Sequence, residues 1–101
     1  MSFDVSPIQP AVLVTIIGEA VLQEQIIKLL DTLGATGYTL NPVKGFGSHG
    51  SRMGDIAGYN TNIEIKSIVS QELSDAILKS VREYQSNRGL IAFRQNIEAV
   101  Y

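Results

Sequence analysis

Residues 11–17, AVLVTII, are apolar at six of seven positions and rich in β-branched side chains. A run this short and this apolar predicts a strand buried on both faces, with Gly18 ending it. Ahead of it, MSFDVSPIQP holds two prolines and no period, and reads as a loosely held arm, 1–10, before a single domain, 11–101. Over 20–33 the period changes to that of a helix. Val21, Leu22, Ile26, Ile27, Leu29, Leu30 and Leu33 form one stripe, and Gln23, Glu24, Gln25, Lys28 and Asp31 lie mostly opposite. Gly34 is placed to stop that helix. GYTLNPV, 37–43, reads as a second strand whose Pro42 confines its end to an edge. After 43–59, which has no period, NTNIEIKSIV (60–69) alternates as a third strand. Ser70 fits a helix N-cap, and Leu73, Ile77, Leu78, Val81 and Tyr84 supply the next helical stripe. SNRG (86–89) closes it, GLIAFRQ (89–95) reads as a fourth strand, and NIEAVY as one more short strand segment.

The order is strand–helix–strand, a long loop, then strand–helix–strand. Right-handed crossovers favour a ferredoxin-like βαββαβ sandwich of α+β class: a four-stranded antiparallel sheet with both helices on one face. The other face is then bare. The first strand is apolar on both sides, and Ile68, Leu90 and Ala92 add to the surplus. A large exposed apolar face predicts cover by further copies of the chain, without fixing their number.

Composition narrows the function. The 101 residues are 45% apolar and 18% charged, ordinary for one globular domain. A net charge of −2 argues against a general nucleic-acid binder, which neutralises phosphates with a basic face. There is no cysteine and one histidine, His49, which excludes disulfides and thiolate or histidine-cluster metal sites and suits a reducing cytoplasm. AVLVTIIG is too short to cross a bilayer and lacks the flanks of a signal peptide, so no membrane insertion is expected.

The candidate chemistry lies in the unpatterned loop. KGFGSHGSR (44–52) has glycines at 45, 47 and 50, hydroxyls on Ser48 and Ser51, and cations on Lys44 and Arg52. Glycine loses the most backbone freedom on ordering, so a cluster of them is either a mobile surface loop or a main chain that must approach something closely. Successive amides from such a loop make a concave anion nest, and Arg52 adds a planar fork that matches phosphate. Neither the Walker pattern nor the dinucleotide fingerprint fits, because a strand and not a helix follows the glycines. His49 reads as a solvated loop residue; against an anion, its pKa of about 6.5 would make binding pH-sensitive. Arg88, Gly89 and Leu90, leading into the fourth strand, form a second candidate element, with a plain helix stop as the other reading of Gly89. Arg94 interrupts the apolar strand as a rim residue or an intersubunit ligand. No nucleophile–base pair has a recognisable spacing, and IIGEA lacks the arginine an acylphosphatase-type enzyme carries after its first strand. No enzyme is expected.

GATGYTLNPVKGFGSHGSR, the AGYNTNIEI that follows, and GLIAFRQNIEAVY together resemble the PII-like signalling proteins, in particular the carboxysome-associated and bicarbonate-transporter-regulator branch. The resemblance spans about 11–101. It implies a homotrimer whose intersubunit clefts bind an adenine nucleotide (AMP, ADP, ATP or cyclic AMP), some members with bicarbonate, and whose 43–59 segment, the T-loop, presents a surface to a protein partner. A bicarbonate transporter or a carboxysome component in the cytoplasm, or at the membrane it regulates, is the kind of partner implied. Residue by residue, it puts Gly45, Gly47, Ser48 and Arg52 at the phosphates, with His49 where relatives carry a second arginine. Arg88, Gly89 and Leu90 fall on the connection that closes over the nucleotide from a neighbouring chain, and Lys44 and Arg94 become rim or bicarbonate contacts. The missing cation at His49 leans the expectation toward a mono- or diphosphate. Two other readings stand beside it: an assembly trimer whose loop touches only protein, and a CutA-like metal-tolerance protein, weakened by the absence of cysteine.

Overall fold

The computed structural model describes residues 7–44, 62–84 and 89–100. Four strands, β1 (Gln9–Glu19), β2 (Thr39–Val43), β3 (Asn62–Val69) and β4 (Ile91–Ala99), form one antiparallel sheet in the order β2-β3-β1-β4. Two helices, α1 (Gln23–Leu33) and α2 (Gln71–Tyr84), complete the ferredoxin-like arrangement that the element order implied. Among the described residues no helix is long and apolar enough to cross a membrane.

Several boundaries are set by local chemistry. Gly34 ends α1 with φ 97°, its N–H bonded to the carbonyls of Leu30 and Asp31 at 3.1 Å each. That left-handed turn is open to glycine at little cost. Ser70 caps α2: its Oγ accepts the Leu73 N–H at 3.1 Å. The helix expected over 20–33 opens instead as a 3-10 turn, Ala20–Leu22, before the α-helix proper.

β1 differs from its expected span at both ends. It begins at Gln9, inside the segment read as an arm, and runs through Gly18 to Glu19. Its length is set by its partners. Gln9 and Pro10 pair with Ala99 and Glu98 of β4, and Gly18 and Glu19 pair with Ile63 and Asn62 of β3. Pro10 precedes the β3 register, which starts at Val12, so its missing N–H takes nothing from the pairing on that side.

Register assigns the two faces. Val12, Val14 and Ile16 stand with Ile63, Ile65 and Val69, and Ile26 and Leu30 of α1 and Ile77 and Val81 of α2 close over them. These are the core, all at most 6% exposed. One step away, Leu13, Thr15 and Ile17 stand with Ile68, Lys66 and Glu64 on one side and Gln95, Phe93 and Ile91 on the other. No described helix covers this second face, and Ile68, Ile91 and Phe93 are 46%, 44% and 42% exposed there. The apolar surplus is therefore real, with one correction. Leu90 and Ala92 belong to the helix-covered side, Leu90 in the core and Ala92 packed against it, while Ile91 and Phe93 take the bare one.

Thr15 lies on that bare face between Lys66 and Phe93, only 1% exposed, and its Oγ1 has no hydrogen-bond partner among the described residues. A buried hydroxyl without a partner costs about 1–3 kcal/mol. Thr15→Val, which keeps the shape and removes the hydroxyl, is expected to raise stability by about 1 kcal/mol in urea unfolding. A fall instead would place a partner for that hydroxyl on another chain.

Candidate functional site

After Gly34 the chain does not enter the ladder at once. Residues 35–38 run beside the sheet, and the Ser67 hydroxyl donates to the Gly37 carbonyl at 2.5 Å, pinning the segment to β3. Thr39 then pairs with Lys66 and β2 begins, two residues later than its sequence pattern suggests. Between this segment and the sheet lies a hollow of about 390 Å³. Its walls are Thr36, Gly37, Tyr38 and Thr39, Leu13 of β1, and Lys66, Ser67 and Ile68 of β3. Leu13, Thr39, Lys66 and Ile68 all occupy register positions of the face without helices.

The hollow combines flat apolar walls with a few polar groups. Leu13, Ile68 and the half-exposed Tyr38 ring supply apolar surface; Thr36, Thr39 and the Lys66 ammonium supply hydrogen bonding. Lys66 Nζ stands 3.6 Å from Glu64 Oε1, with the two side chains 41% and 23% exposed. A pair that open to solvent holds the lysine weakly, so its ammonium can turn to a ligand. Gly37 opens the wall: a Cβ built there meets no atom within 4 Å. Among the described residues no group of His, Cys, Asp and Glu could hold a metal ion.

The hollow sits at the start of β2 and the glycine-rich loop leaves from its end. Four residue steps separate Thr39 from Val43, about 13 Å of strand. Lys44, exposed, is the last described residue before the loop. Gly45, Gly47, Ser48, His49 and Arg52 lie outside the described residues, as does Arg88. Gly89 is described and has φ 67°, a left-handed value that suits glycine. The Leu90 side chain is 1% exposed in the core, so only its main chain can meet a ligand.

Arg94 is engaged within its own chain. It pairs with Val14 on the helix-covered side of β4, donates to Ser74 Oγ at 3.0 Å, and forms an ion pair with Asp75 at the start of α2. The hydrogen bond from Arg94 holds the Asp75 carboxyl below the usual carboxylate range. Arg94 and the hollow thus belong to opposite faces of the sheet, and a rim contact by Arg94 requires release from Asp75.

Sequence reasoning placed Gly37, Tyr38 and Thr39 in the family-like block but gave none of the hollow's residues a role in the site. They come from three separate stretches, each ordinary alone. Gly37 makes no left-handed turn and a Cβ there meets no atom within 4 Å, so neither its backbone conformation nor the described packing requires glycine at that position.

The family model of the nitrogen regulatory protein P-II matches residues 11–101. A PII-like signaling protein from Thermus thermophilus is 34% identical, covers 92% of each chain and superposes with a TM-score of 0.78. CPII from Thiomonas intermedia, a nitrogen regulatory PII-like protein whose structure is bound to ADP, AMP and bicarbonate, is 26% identical over 96% of this chain and 94% of its own, with a TM-score of 0.84. The Bacillus subtilis GlnK–ATP complex, 21% identical over 87% and 82% of the two chains, has a TM-score of 0.59 and shares the fold. No protein of curated function matches the chain.

Proposed function

Because the chain belongs to the nitrogen regulatory P-II family, we propose that it is a non-enzymatic, trimeric regulator that binds an adenine nucleotide between subunits. The observation that carries this reading is the hollow at Gly37: an opening with apolar walls, hydroxyls and one ammonium, sized for a base and not filled by any described side chain. It opens on the apolar face that other copies would cover, so a ligand there lies at a subunit boundary. From the hollow, the phosphates extend along β2 toward Lys44, Gly45, Gly47, Ser48, His49 and Arg52, and meet Arg88, Gly89 and the Leu90 main chain of a neighbour. Each charge-assisted hydrogen bond contributes about 1.5–3 kcal/mol. Two or three of them with a seated base reach micromolar affinity, about −8 kcal/mol.

Bicarbonate is the second ligand in this reading, supported by its presence beside ADP and AMP in CPII. The nucleotide binds the ordered 43–59 loop better than the unordered one and shifts that balance, which is how the loop signals to a transporter or carbon-fixation component in the cytoplasm. Isothermal titration with AMP, ADP, ATP and cyclic AMP, with and without bicarbonate, tests it. Micromolar binding of at least one is expected, ADP or AMP ahead of ATP, and Arg52→Ala should weaken it by about tenfold or more. Flat titrations with all four would leave an assembly trimer without nucleotide as the better account.

A further inference from the structure

Gly18 is a glycine without a turn to make. It lies within β1, pairs with Ile63, and does not adopt a left-handed φ. What it lacks is room. A Cβ at Gly18 would stand 2.3 Å from Leu90 Cδ2 and 3.7 Å from Leu90 Cγ, with Ile26 Cδ1 at 4.0 Å behind. The bare Cα is therefore the floor of a socket, and Leu90 fills it, 1% exposed within the core. Leu90 directly precedes β4, which begins at Ile91. Directly before Leu90 stands Gly89, at φ 67°. The chain entering β4 is thus fixed at two consecutive residues before the ladder takes over, one by a side-chain seat and one by a left-handed backbone.

We propose that Gly18 is a positioning residue for the nucleotide site: it seats Leu90, and seated Leu90 sets where the Gly89 main chain stands. This rests on the reading of residues 88–90 as contacts to a neighbour's nucleotide. Packed cores resist added methyl groups because neighbours already fill the space. The tip of Leu90 is flexible, but at 1% exposure it sits in the filled core cluster with Ile26, so a methyl group at Gly18 that displaces it also strains the chain it hangs from, next to Gly89.

The experiment compares wild type, Gly18→Ala, and Gly18→Ala with Leu90→Val, which shortens the side chain that the new methyl group meets. ADP affinity is read by isothermal titration, and amide hydrogen exchange at residues 89–90 and the Tm are read without ligand. Gly18→Ala is expected to weaken ADP binding by about tenfold and to speed exchange at 89–90. The double variant should bring both back to within about twofold of wild type. Unchanged affinity in Gly18→Ala overturns the proposal, as does a double variant that regains its Tm without regaining affinity. Should Gly18→Ala not fold, Leu90→Ala empties the socket instead, and unchanged ADP affinity there overturns it equally. A wild-type protein that binds none of the nucleotides removes the parent reading as well; a wild type that binds beside an unaffected Gly18→Ala removes the positioning role alone.

Discussion

Gly37→Val is expected to leave the fold intact and to reduce nucleotide affinity by about a hundredfold or more, close to 3 kcal/mol. Both halves of that result come from the same geometry. The φ of Gly37 lies outside the left-handed region, so a β-branched residue can occupy the backbone without strain. A Cβ there meets no atom within 4 Å, so the branch point of the new side chain displaces none of the described residues. The carbonyl stays pinned by the Ser67 hydroxyl, which fixes the direction in which the new side chain grows. That direction is open space beside the hollow, and valine would stand where the base should lie. The measurement is a titration with ADP beside a thermal melt without it: a Tm within a few degrees of wild type and no resolvable heat of binding. Gly37→Ala should fall between the two. Full affinity in the valine variant would mean that the ligand binds elsewhere. A collapsed Tm would mean that the space is not open.

The elements of this fold were legible because their signals are local. The helical stripe over 20–33, the stop at Gly34 and the cap at Ser70 each rest on chemistry within a few residues; the stop and the cap are found where the pattern puts them, and the stripe becomes α-helix from Gln23 after a 3-10 turn. What was not legible depends on partners. β1 runs beyond its apolar run because β4 and β3 offer Ala99, Glu98, Ile63 and Asn62 to pair with. The facing of β4 is a clearer case. Leu90, Ile91, Ala92 and Phe93 are all apolar, so alternation gives no parity, and a shift of one residue exchanges the faces. Only the pairing of Thr15 with Phe93 and of Val14 with Arg94 decides it, which moves Leu90 and Ala92 to the core and Ile91 and Phe93 outward. The site divides in the same way. The glycine-rich loop announced itself by composition, whereas the hollow is assembled from residues 13, 36–39 and 66–68 and exists only once the sheet has formed.

That exchange of faces makes the second large effect specific. If the proposed trimer forms through the bare face, Phe93→Asp together with Ile68→Asp should release single chains, seen as a threefold fall in mass by light scattering at micromolar protein. In one protomer these side chains are 42% and 46% exposed and lie outside the core cluster, so aspartate there is solvated and the protomer keeps its fold. Under a neighbouring copy the same carboxylates lose water beside Lys66, which already pairs with Glu64, and buried charges in excess of their partners are strongly disfavoured. Two carboxylates per chain on the shared face oppose the association that would cover it. Ala92→Asp, one residue away on the core side, gives the contrast: it should unfold the protomer and not release it. Ile68 also lines the hollow, so Phe93→Asp alone is the variant on which to read nucleotide binding. If it releases single chains, it should lose ADP affinity with every hollow-lining residue still in place, because the phosphates then meet no neighbouring Gly89. Retained affinity in a single chain would confine the ligand to one protomer, and the contribution from the neighbour would have to be abandoned.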